Sequence, residues 1–121
     1  MLLKTVLWVS RHRMTAPQKA DLDRILGEEV RLLPWTDTVK QAEELLPLLD
    51  QADAAAVVLP PALLCRLLQL AGDKPVLQAL SARKPTGRTL TTADGREEPE
   101  FAFVHQGWQQ ILKLELETRL L

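Results

Sequence analysis

Residues 4–26 read KTVLWVSRHRMTAPQKADLDRIL, and the order of residue types in that stretch decides the fold. The run 5–9 is apolar and rich in β-branched side chains, which suits a strand on a buried sheet. It meets a polar, doubly basic turn made of Ser10, Arg11, His12 and Arg13. Thr15 with Gln18 three residues on is a capping-box signature, and Pro17 sits in the first helical turn, where its missing N–H costs nothing. The stretch therefore predicts strand, turn and helix, with the helix stopping at Gly27. Such a helix aims its unsatisfied N–H groups and positive dipole end at whatever lies above the strand, and the basic turn adds formal charge beside it. The place suits an anion, a phosphate first.

Outward from there the alternation continues. Residues 29–33 predict a second strand ended by Pro34 and Trp35. Residues 39–50 predict a second helix, with Thr38 and Gln41 at capping-box spacing and Pro47 kinking or dividing it. The run 54–59, AAAVVL, is apolar on both faces, as in a central strand of a parallel sheet. Pro60 and Pro61 close it, residues 62–70 predict a third helix before Gly72, and 75–80 a fourth strand. From Ser81 the texture changes. Residues 81–89 read as a polar loop carrying Arg83, Lys84 and Arg88 around a Pro-Thr-Gly turn, and 90–104 as a hairpin turning at Asp94-Gly95. Residues 109–121 read as an apolar terminal helix that covers the sheet or meets another subunit. The expected fold is α/β, a small Rossmann-like parallel sheet with an added C-terminal β-hairpin and covering helix. One domain spans 1–121, with a βαβαβαβ core in 1–80.

At 121 residues and 46% hydrophobic, the chain suits one domain with its own core. Fifteen Lys and Arg against sixteen Asp and Glu leave a charge of −1, which argues against wrapping long nucleic acid. Cys65 has no partner cysteine and reads as core in an intracellular protein. No leader pattern or membrane-length apolar run is present, so the expectation is a soluble cytoplasmic protein with no membrane partner. G-x-G-x-x-G and P-loop motifs are missing, which argues against NAD and ATP. His12, His105 and Cys65 lack metal-ligand spacing, so no metal or other cofactor is expected. Ser10 lacks the nucleophile elbow of a Ser-His-Asp hydrolase.

In sheets of this kind ligands bind beyond the carboxyl ends of the strands. The loops there are 10–14, 60–61 and 81–88, which would put both basic clusters on one rim. The parts suit phosphodiester recognition, and cleavage in which a ribose 2′-OH attacks its own phosphate. Arg11 or Arg13 would hold the phosphate, Thr15 and the helix N-terminus another oxygen, and His12 would be the acid. The plainer reading of the same residues is a solvated turn with His12 an orienting donor; side-chain alternation lets only some of Ser10, Arg11 and His12 face one site. His105 and Trp108 read as structural, Trp8 as core or interface, and Trp35 as a base-stacking group or a cap on the core.

The stretch TVLWVSRHRMTAPQKADLDRILG, an apolar strand ending in Ser-Arg-His followed by Met-Thr-x-x-Gln and an acidic helix, resembles the small stand-alone CRISPR-associated Rossmann fold (CARF) proteins of type III CRISPR systems. The resemblance covers the first 26 residues and, beyond them, the overall layout. It implies a homodimer that binds cyclic oligoadenylate, the second messenger of that antiviral defence, across its two-fold axis. Some such proteins are metal-independent ring nucleases and others only bind. Carried over by position, it implies that Ser10, Arg11, His12 and Thr15 face the ligand and that Arg83, Lys84, Thr86 and Arg88 complete the pocket. Alternative readings are a non-catalytic sponge or sensor, a cyclic dinucleotide as ligand, and a protein interaction module with no nucleotide ligand.

Overall fold

The computed structural model describes residues 4–115 and 119–121. Strand β1 (Lys4–Val9) lies near the middle of a five-stranded sheet of order β2-β1-β3-β4-β5, with β2 (Val30–Trp35), β3 (Ala54–Val57), β4 (Val76–Thr91) and β5 (Glu97–Gln110). The first four strands are parallel and β5 is antiparallel to β4. This is the expected α/β class, a small Rossmann-like sheet with a C-terminal hairpin.

Period-two alternation divides the core. Leu7, Val9, Ala55, Val57 and Val76 face one side, where they meet Leu45, Leu49, Leu64 and Leu67. Val6, Trp8, Ala54, Ala56 and Leu77 face the other, where they meet Leu22. Helices α2 (Leu46–Leu49) and α3 (Pro61–Ala71) therefore cover the first face, and α1 (Ala16–Leu26) the second. The alanines of β3 are fully buried and small enough for helices to approach both sides of the sheet.

Helix α1 begins as its sequence dictates. Thr15 Oγ1 accepts from the Gln18 N–H at 3.3 Å, and the Gln18 side chain accepts from the Thr15 N–H at 2.9 Å. Gly27 ends the helix with φ of 80°, a left-handed conformation in which a Cβ would be strained.

Four expectations are corrected. Strand β2 runs through Pro34 and Trp35, because it is an edge strand and a missing N–H on an open edge breaks no ladder bond. The second helix shortens to a 3-10 turn (Ala42–Leu45) and the single turn α2, with Pro47 in its first turn. Glu44, rather than Thr38, caps it: its carboxylate accepts from the Lys40 and Gln41 N–H groups at 2.8 and 3.2 Å, and these bonds hold the acid below its usual pKa. The loop expected over 81–89 is the second half of β4, paired to β5 from Ser81 opposite His105 to Pro85 opposite Phe101, with an irregularity at Thr86 to Arg88. The terminal helix does not form among the described residues. Gln109 and Gln110 belong to β5, the Ile111 N–H donates to Val76 O at 2.8 Å, and residues 111–115 run on with Ile111 and Leu114 against the α3 side of the core. Residues 116–118 of that expected helix lie outside the described residues.

Candidate functional site

Strand order reverses between β1 and β3, so the carboxyl ends of these two strands frame the switch point at which such sheets bind ligands. A cleft of about 220 Å³ lies there, lined by Ser10 and Arg11 after β1, Thr38 after β2, and Leu59, Pro60 and Leu63 at the start of α3. The Arg11 guanidinium donates to Thr38 Oγ1 at 2.5 Å across this space. Pro60 is the N-cap of α3 and supplies no capping side chain. The N–H groups of Ala62 and Leu63 in its first turn have no helical partner, and the positive end of the α3 dipole faces the cleft. Asp37 also lines it, so the formal charges of the lining cancel.

The turn after β1 parts the sequence motif. Ser10 is buried; its N–H donates to Trp35 O at 3.2 Å and its Oγ accepts from the His12 N–H at 3.1 Å. That bond turns the chain, so His12 and Arg13 leave the Ser10 cleft. They line a second cleft of about 420 Å³ on the α1 face of the sheet, with Trp8, Met14 and Leu32; Arg11 borders both. The Trp8 indole N–H donates to His12 O at 2.9 Å, which fixes the turn while leaving the imidazole at the surface.

Thr15 borders a third cleft, of about 490 Å³, between the start of α1 and the base of the β4–β5 ribbon. There His105 Nε2 lies 3.0 Å from Asp21 Oδ2, and the Trp108 indole N–H donates to Gln18 O at 3.0 Å. Trp108 also meets Trp8 edge-on at 6.1 Å between ring centres. His105 and Trp108 therefore clip the ribbon to α1, the structural role their sequence context suggested. Bonds from His105 and then Arg24 hold the Asp21 carboxyl below its usual pKa.

Arg83, Lys84, Thr86 and Arg88 border none of these three clefts. Arg83 lies over the Phe101 ring at 3.9 Å, and Thr86 donates to the Glu100 carboxylate at 3.0 Å. The two basic clusters thus share no cleft within a protomer. Sequence reasoning had treated Thr38 only as a helix cap; its place after the second strand was the signal for a role at the switch point. Cys65 is half-buried rather than core, its thiol 3.2 Å from Leu114 O. Among the described residues no three His, Cys, Asp or Glu side chains cluster as a metal site would require, and no helix is long and apolar enough to cross a membrane. No protein-family model, curated protein or solved structure matches the chain.

Proposed function

We propose that this chain binds a cyclic oligoadenylate at its switch-point cleft, as a homodimer, and opens the ring without a metal by 2′-OH attack, ending a type III CRISPR signal. The observation that carries the reading is the convergence of the Arg11 guanidinium, the Thr38 hydroxyl and the uncapped start of α3 on one cleft. These are donors of the kind that a phosphodiester oxygen accepts. The resemblance of the N-terminal stretch to CARF proteins names the ligand.

Size supports the dimer. A cleft of about 220 Å³ is smaller than the ~300–1,000 Å³ of typical small-molecule pockets. One protomer can hold a phosphate with its ribose, and a ring of several nucleotides calls for two clefts related by a two-fold axis.

In the proposed step the ribose 2′-oxygen attacks its own phosphorus as its proton passes to solvent, and the P–O5′ bond breaks. Arg11, which borders both clefts, stabilises charge on the phosphoryl oxygens, and His12, in the neighbouring cleft, protonates the departing 5′-oxygen of a ring that reaches over the turn. The product is a linear oligonucleotide ending in a 2′,3′-cyclic phosphate. The test is chromatography of cyclic tri-, tetra- and hexa-adenylate after incubation with metal-free protein. Linear cyclic-phosphate products that His12→Ala abolishes support the whole reading. Binding without turnover makes the protein a sponge or sensor, and neither binding nor turnover discards the nucleotide reading.

A further inference from the structure

Strand β4 pairs with β3 only at Val76 and Leu77, yet its pairing with β5 continues to Thr91. Beyond the sheet the two strands form a ribbon, and among the described residues neither outer edge is paired. From residue 81 to 91 it reaches about 34 Å at ~3.4 Å per residue. Isolated two-stranded ribbons are marginal in water, and open edges invite pairing. The ribbon also exposes large apolar side chains: Phe103 is 78% exposed and Phe101 40%. Alternation puts both on one face with Arg83, as the position of Arg83 over the Phe101 ring requires.

Charge is divided along this ribbon. Near the base Arg83 and Lys84 leave +2, and farther out, past Phe101, Arg88 offsets Glu100. At the tip Asp94 is paired with Arg96 at 2.8 Å, so Glu97 and Glu98 leave −2. A ribbon that is basic and aromatic in the half nearest its base and acidic at its tip is complementary to itself in antiparallel orientation. The cleft of about 490 Å³ beside α1 opens at the base, with Phe103 on its wall.

We propose that the ribbon is an arm that clasps the same arm of a second copy of this chain. The Phe101 and Phe103 faces pack together about a two-fold axis, and each acidic tip lies over the partner's basic base and enters its cleft. The apolar side chains supply burial and the charges fix orientation. An aromatic face flanked by arginine also suits single-stranded RNA, but Glu97, which alternation puts on the same face, repels phosphates and favours a second copy.

Sedimentation of the full chain without nucleotide, across the micromolar range, tests the clasp. Wild type is expected at twice the 13.6 kDa chain mass. Phe103→Glu, at an exposed position, should keep its circular dichroism and weaken the dimer by about 30-fold or more, the effect of a central interface residue. Arg83→Glu should also weaken it, and adding Glu97→Arg should restore it. A monomeric wild type, dimers indifferent to Phe103→Glu, or a charge swap that fails to rescue would overturn the clasp. So would a monomer that binds a labelled oligouridylate and loses it in Phe103→Glu. These measurements need no cyclic nucleotide, so the clasp and the nucleotide reading can fail separately.

Discussion

Replacing Trp108 tests how the ribbon is held to the domain. The indole makes three kinds of contact: burial against the α1 face of the core, an edge-on pairing with Trp8 at 6.1 Å, and a hydrogen bond to Gln18 O at 3.0 Å. Truncating a core Trp costs about 3–5 kcal/mol, and half-burial puts Trp108→Ala near the lower end, about 3 kcal/mol. Trp108→Phe keeps most of the apolar contact. It loses the hydrogen bond, worth ~1 kcal/mol, and part of the ring pairing, so about 1.5 kcal/mol is expected. For a chain of this length each kcal/mol lowers Tm by about 4 °C, giving drops near 12 and 6 °C. Urea unfolding followed by circular dichroism measures both, and a double-mutant cycle with Trp8→Phe isolates the ring pairing at ~0.5–1.5 kcal/mol. A coupling near zero, or Trp108→Phe as costly as Trp108→Ala, would refute this account of the clip.

Thr15→Ala removes the α1 cap and should cost about 1 kcal/mol by urea unfolding. Asp21 is the pH-sensitive half of the clip: its bonds to His105 and then Arg24 depress its pKa, so the stabilisation is full above the ordinary 3.8 and is lost as pH falls below that through the depressed folded value. Asp21→Asn should therefore lower stability at neutral pH and flatten that acid limb in a pH series of melts. Asp37 offsets Arg11 in the switch-point cleft, and Asp37→Asn should tighten cyclic oligoadenylate binding about two- to fivefold by calorimetry, the ~0.5–1 kcal/mol of an exposed charge interaction.

The opening strand–turn–helix unit was legible because its signals are local. The apolar β1 run, the Thr15 and Gln18 box and the Gly27 stop each act within a few residues, and each appears as read. The C-terminal third was not, because long-range pairing decides it. Arg83 and Lys84 look like loop residues until Phe103 and Ala102 lie opposite them. The tail shows the competing signal in its own sequence: Leu112, Leu114 and Leu116 alternate with Lys113, Glu115 and Glu117, a period of two that an apolar helix reading passes over. At the site, the expectation that only some of Ser10, Arg11 and His12 would face one cleft holds, but the Ser10–His12 turn, and not alternation, sets which: Ser10 and Arg11 share one cleft, Arg11 and His12 the other. Only the fold could show that Arg11 spans the parting to reach Thr38.

The most direct test of the nucleotide reading is calorimetric titration of wild type and Arg11→Glu with cyclic tetra-adenylate, repeated with the tri- and hexa-adenylate rings. The expected result is saturable binding of at least one ring at one ligand per two chains, lost in Arg11→Glu while the variant keeps its melting temperature. No heat from any ring, or binding that Arg11→Glu leaves intact, would contradict a ligand site at the switch point.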